Sequence, residues 1–186
     1  MTRARPLLGL LGCVVLALVL AIVTPDPTTD LRRRWSDAGV GGWAATADVS
    51  ARVASVAVVS TVDPGYGEAF VSRQALVVTP VEVQVRHRVA QLSRVYLLTA
   101  DGKEYEPRSE LTSAGLGQTQ PGFTRQGTLV FEVPPDRLAR AQLVVDADAA
   151  SVDGYAEAIR IGLGLRDPLR VSPETVAPQP ASVTTT

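Results

Sequence analysis

Residues 80–89, "PVEVQVRHRV", alternate apolar and polar side chains almost without a break. Successive side chains of an extended strand point to opposite faces, so this pattern predicts one face with Val81, Val83, Val85 and His87. Glu82, Gln84, Arg86 and Arg88 fall on the other. A helix would scatter the same residues around its circumference and bury none of them together. The whole chain is 46% apolar but only 5% aromatic, so any core must be built from Val, Leu and Ala, and the weight of valine favours strands.

Other segments fit the same plan. "RVASVAVVSTV" at residues 52–62 is nearly all apolar and β-branched, and "PGYG" at 64–67 closes it with turn residues. "RVYLLTADGKEYEP" reads as a hairpin whose Asp101-Gly102 pair supplies the two positive φ angles of a type I′ turn. Residues 109–120 are polar and glycine-containing, the composition of a long connection between two sheets. Pro121-Gly122 forms a turn, after which "GTLVFEVPP" places Leu129, Phe131 and Val133 inward until Pro134-Pro135 stops it. "AQLVVDA" and "AEAIRIGLGL" give two more strands, with Ile159, Ile161, Leu163 and Leu165 on one face. The expectation is an all-β, immunoglobulin-like antiparallel sandwich of about seven strands, preceded by one N-terminal transmembrane helix. Residues 51–170 form the sandwich, 26–50 a stalk with a short helix near 31–38, and 171–186, rich in Pro, Ser and Thr, a disordered tail.

Residues 1–25 are the membrane anchor or signal segment. Arg3 and Arg5 precede an unbroken apolar run, "LLGLLGCVVLALVLAIV", at residues 7–23. Its length stands at the lower limit for a spanning helix and just above that of a signal peptide's core. Pro25 and Pro27 crowd the place where a signal peptidase would cut, which favours an uncleaved anchor over a removed signal peptide. "LLGC" at 10–13 is similar to a lipoprotein acylation signal, but the apolar residues after Cys13 favour a cysteine that simply faces lipid. Arg32, Arg33 and Arg34 outnumber the leading arginines and argue for a cytoplasmic domain under the positive-inside rule. A first apolar segment with a short basic leader argues instead for translocation of the chain beyond it. The expected placement is a single-pass cell-membrane protein with its C-terminal domain extracytoplasmic.

The stretch "LLTADGKEYEPR…QPGFTRQGTLVFEVPPDRLARAQLVV", residues 97–145, resembles the telokin-like, immunoprotective-antigen-like extracellular domain of unknown function found in bacterial secreted proteins and lipoproteins. The residues that carry the resemblance are Leu98, Asp101, Gly102 and Tyr105, then Pro121, Gly122, Gly127, Leu129, Val130, Phe131, Val133 and Pro134. The resemblance implies an immunoglobulin-type sandwich outside the cell, and it brings no catalytic residues with it. The strand before the hairpin departs from the pattern by lacking an Asn-rich bend.

Little in the polar inventory suits bond-making. His87 is the only histidine, it lies between Arg86 and Arg88, and no nucleophile motif accompanies it. One His and one Cys, the latter in the apolar run, are too few for a zinc site and allow no disulfide. Asp146, Asp148 and Asp153 lie close in sequence but lack the spacing and closing Glu of a calcium loop. Gly162 and Gly164 lack the Lys-Ser/Thr of a phosphate loop and instead suit close sheet packing. Arg108, Arg125, Arg137 and Arg140 read as scattered solvated charges. With 18 Lys+Arg against 19 Asp+Glu, no polyanion-attracting field arises, which sets nucleic acid aside. The expected function is therefore non-enzymatic, with no catalytic, cofactor-binding or metal-binding residue and no cofactor. The chain reads as a membrane-anchored module that binds another envelope protein or the cell wall. The alternative is an accessory subunit of a membrane transporter or secretion complex.

Overall fold

The computed structural model describes residues 32–87, 89–90, 92–114, 117–147 and 155–185. The anchor expected at 1–25, with Cys13, lies outside them. Among the described residues no helix is long and apolar enough to cross a membrane. The strands are β1 (Arg32–Gly39), β2 (Trp43–Ala45), β3 (Val49–Val53), β4 (Ala57–Val62), β5 (Phe70–Val85), β6 (Leu92–Leu98), β7 (Glu104–Tyr105), β8 (Phe123–Val133), β9 (Gln142–Ala147), β10 (Tyr155–Gly162), β11 (Ser172–Val176) and β12 (Ser182–Thr185). From Arg34 onward they belong to one compact unit, Arg34–Thr186.

Two sheets face each other. The first runs β1-β10-β9-β6-β7, and the second is organised around β5. Along one side of β5 its early half pairs with β4 and its late half with β3, while β8 pairs along the other side. Odd-numbered β5 residues from Ala75 to Val85 face the first sheet, where Val77, Val81, Val83 and Val85 meet Leu129, Phe131, Leu143, Ile159 and Ile161 in the main core. Burying each such side chain contributes about 1.5–3 kcal/mol. The even-numbered residues face outward and change character along the strand. Leu76 and Val78 join Val59, Val62, Val130 and Leu111 in a second apolar cluster, whereas Glu82 and Gln84 stay half-exposed. The clean alternation at residues 81–85 therefore marks the uncovered half of β5, and the unbroken apolar run before it marks the half that is covered on both faces.

Pro80 explains a break that the apolar composition of residues 52–62 hides. The single strand expected there is two, β3 and β4. The Pro80 carbonyl accepts the Ala54 N–H at 3.0 Å on the side where β3 and β4 meet, so the N–H that proline lacks would face that junction. The chain steps from one strand to the next at the point where β5 has no donor to offer.

Several expectations are corrected. The stalk at 26–50 contributes β1, β2 and the start of β3, and the short helix near 31–38 is strand β1. The tail at 171–186 contributes β11 and β12; with β1, β2 and the division of residues 52–62 into two strands, they raise the count from about seven to twelve among the described residues. β11 lies parallel to β4, so the sandwich is not wholly antiparallel. These added strands lie at or beside sheet edges, where backbone pairing holds them and an apolar face is not required; every residue of β12 is exposed. The 101–102 turn also differs. Gly102 alone has positive φ, 77°, with its N–H on the Thr99 carbonyl at 2.9 Å and the Thr99 N–H on the Lys103 carbonyl at 2.9 Å. That is a three-residue loop with a glycine bulge, which needs one left-handed residue and not two. The connection after β7 does cross between the sheets, and it then runs beside β8: Arg108 N–H bonds the Val130 carbonyl at 2.7 Å, and Ser113 N–H the Thr128 carbonyl at 3.0 Å.

Candidate functional site

Both tryptophans of the chain stand on outermost strands. Trp35 lies on β1, the edge of the first sheet, and Trp43 on β2, an edge of the second. A tight turn joins the two strands: Gly42 N–H bonds the Gly39 carbonyl at 3.0 Å and Gly41, at φ 82°, donates to the Val53 carbonyl at 2.8 Å. Val40 stands at its tip. Trp35, Val40 and Trp43 are 37%, 42% and 39% exposed, so three of the large exposed apolar side chains fall within nine residues of sequence.

Each tryptophan is held by an arginine that a carboxylate holds in turn. The Arg160 guanidinium lies 5.0 Å from the Trp35 ring centre, and its Nε and Nη2 donate to the Asp37 carboxylate at 2.6 and 3.1 Å. The Arg52 guanidinium lies 4.9 Å from the Trp43 ring centre, and its Nη2 donates to both Glu82 oxygens at 2.7 Å. Strand register brings the second set together, because Trp43 is opposite Arg52 and Arg52 opposite Glu82. Each stack contributes about 0.5–1 kcal/mol at exposed sites. Each exposed ion pair adds about 0–1 kcal/mol. The hydrogen bond from Arg160, and then its charge, lowers the Asp37 pKa below its ordinary 3.8. The larger consequence is that the rings are fixed in place before anything binds.

Two further sets repeat the arrangement. Arg94 joins Tyr96 at 4.7 Å to Glu104 at 2.6 Å, and Arg108 joins Phe70 at 5.3 Å to Glu132 at 2.7 Å and Glu110. Tyr96 is fully buried, so there the arginine closes over its ring, and the tryptophans remain open to solvent.

A cleft of about 210 Å³ opens beside Trp35, walled by Ser36, Ala45, Thr46 and Glu157. Ser36 Oγ accepts the Ala45 N–H at 2.9 Å, and Glu157 Oε2 accepts the Ala47 N–H at 2.9 Å, which ties the edges of the two sheets together. Nearby on β3, Ser50 Oγ and Arg52 Nε are buried and lack a hydrogen-bond partner.

The residues weighed in the sequence fall elsewhere. His87 lies past the end of β5 in a bend and is exposed, so it does not continue the valine face as expected. Asp146 sits on β9, while Asp148 and Asp153 lie outside the described residues; among those described, no group of three or more His, Cys, Asp or Glu is placed to hold a metal. A Cβ on Gly162 would meet the Ala38 carbonyl at 3.8 Å, an ordinary contact, and one on Gly164 would meet nothing within 4 Å, so the close sheet packing expected of the pair is not found; Gly164 instead takes a positive φ of 70°. Arg108 and Arg137 are taken up by separate partners, Glu132 and Asp101, and Arg125 donates to the Gln118 carbonyl. The tryptophan edge was missed because residues 26–50 read as a stalk. Both tryptophans fall in that segment, and a large apolar ring is poorly placed in a solvated linker; that was the available signal.

The chain matches no protein-family model and no curated protein. It is similar to two solved structures. One is an uncharacterised β-sandwich protein from Clostridium difficile, 11% identical, with 74% of this chain and 99% of that chain covered and a TM-score of 0.42. The other is a candidate lipoprotein from Bacillus subtilis, 12% identical, with 64% of this chain and 38% of that chain covered and a TM-score of 0.45.

Proposed function

We propose that the chain is a non-enzymatic, membrane-tethered β-sandwich of the cell envelope that binds another envelope protein through the edge carrying Trp35, Val40 and Trp43. The observation that carries this reading is the pair of exposed tryptophans, each fixed by an arginine and a carboxylate on an outermost strand. Tryptophan and arginine dominate the binding energy of protein interfaces, and side chains ordered beforehand lose little entropy on association. Tethering rests on the apolar run at residues 7–23, and the extracytoplasmic placement on its short basic leader.

The test cross-links the full-length chain in intact cells and compares it with a Trp35→Ala, Trp43→Ala double variant of equal abundance and unchanged circular dichroism. A defined adduct that the double variant loses is the expected result. An adduct pattern identical in both proteins would refute the edge as the binding surface. Protease added to intact cells should digest the sandwich, and full protection would refute the extracytoplasmic placement.

A further inference from the structure

A second feature lies at one end of the first sheet. The turn entering β9 and the chain leaving β10 border a half-open cavity of about 570 Å³, and Arg140, Arg166 and Asp167 stand on its lining. Its size falls within the range of small-ligand pockets.

Arg140 is held there in a costly conformation. Its φ is 62°, the left-handed region, where it is the only non-glycine residue among those described. That geometry crowds the Cβ of any residue that carries one, and glycine would adopt it freely. Three backbone bonds impose it: Arg140 N–H to the Leu165 carbonyl at 3.0 Å, Ala141 N–H to the Leu138 carbonyl at 3.0 Å, and Leu163 N–H to the Ala141 carbonyl at 3.1 Å. Local strain of this kind, observed first, is a pointer to function.

The two guanidiniums are also uncommitted. Arg52, Arg94, Arg108, Arg137 and Arg160 each have a carboxylate within ion-pair distance. Arg140 and Arg166, both exposed, have no such partner among the described residues, and Asp167 on the same lining pairs with neither. The rim therefore carries a net positive charge and unused donors in the planar geometry that suits carboxylate and phosphate.

We propose that this cavity binds a small oxyanion, a carboxylate or phosphate group, clamped between Arg140 and Arg166. It requires neither tryptophan, so its failure would leave the partner-binding edge standing.

The experiment titrates the isotope-labelled full-length chain, in neutral detergent, with inorganic phosphate and separately with acetate, ionic strength being held constant with chloride. Backbone amide resonances are followed by NMR. The expected result is saturable shifts at Arg140, Ala141, Leu163 and Gly164 with at least one of the two anions; which anion saturates identifies the preferred group. Arg140→Gly, which removes the guanidinium and the strain together, and Arg166→Gln should each weaken the response about tenfold or more, the loss of a charged hydrogen bond. Arg140→Gly should keep the amide spectrum of a folded protein, which separates lost binding from lost structure. The proposal is overturned if neither anion saturates, or if either variant binds as tightly as the unaltered chain.

Discussion

A Cβ placed on Gly127 would lie 2.5 Å from Ala114 Cα and 2.9 Å from its backbone nitrogen. Gly127 lies on β8, and Ala114 belongs to the connection that runs along that strand's edge, with its N–H on the Thr128 carbonyl at 3.2 Å. The absent side chain is thus what lets the connection dock and carry Leu111 into the second apolar cluster.

Gly127→Ala should therefore destabilise the fold by about 1–3 kcal/mol, the usual cost of overpacking, since the colliding atoms are backbone and cannot rotate away. Urea unfolding measures the loss. Hydrogen exchange should quicken at Ser113 and Ala114 before it does at Phe131, because the connection gives way first.

The final segment is fixed through Thr128. Its Oγ1 accepts the Gln179 N–H at 2.9 Å, and the Ser113 hydroxyl donates to the Gln179 carbonyl. Thr128→Val keeps the shape and removes the acceptor, at a cost of about 1–3 kcal/mol for the unmatched group. Faster exchange at Gln179 and along β12, with β5 unaffected, is the expected pattern; uniform exchange across the sandwich would contradict the docking.

Why the centre of this fold was legible and its margins were not depends on where side-chain burial decides conformation. Val81, Val83 and Val85 alternate because one face of β5 is buried there, and Leu129, Phe131 and Val133 do likewise on β8. β1, β11 and β12 are specified mainly by backbone pairing at sheet edges, so "RRRWSDAG" and "SVTT" carry no apolar period and read as stalk and tail. Pro80 was visible in the sequence, but its effect depends on which neighbour its missing donor would face. The Trp43, Arg52 and Glu82 set depends on register across three strands, and no local pattern encodes that. The cavity rim joins Arg140 to Arg166 through the hydrogen bond from Arg140 to Leu165, a pairing that the scattered-arginine reading had no means to anticipate.

Gly102 tests the corrected hairpin. Its φ of 77° closes the glycine bulge between β6 and β7, with open space where a Cβ would stand. Gly102→Ala therefore suffers backbone strain alone, about 1–2 kcal/mol. Asp101, which lacks positive φ, should by contrast gain nothing from Asp101→Gly, although a type I′ turn would favour glycine there. Thermal unfolding of the two variants distinguishes the turn types.

Asp37 supplies a pH dependence. The hydrogen bond from Arg160 lowers its pKa in the folded protein below the ordinary 3.8. A carboxyl group with a depressed folded pKa binds fewer protons in the native state than in the unfolded one, so it stabilises the fold above the unfolded value. That contribution disappears as pH falls through the folded pKa, in the window below 3.8. Asp37 is largely exposed, so solvent screening keeps the pair to about 0–1 kcal/mol. Asp101 is lowered too, chiefly by the Thr99 hydroxyl, and Glu110 chiefly by a backbone hydrogen bond, so Asp37→Asn should flatten only part of the acid limb of stability. The sharper readout is local. Protonation releases Arg160 from Asp37 and loosens its stack on Trp35, so tryptophan fluorescence should shift below pH 3.8 while the far-ultraviolet circular dichroism holds. Asp37→Asn should show the shifted emission already at neutral pH, and Trp35→Phe should remove the transition. An emission profile unchanged by Asp37→Asn would mean that the carboxylate does not hold the stack.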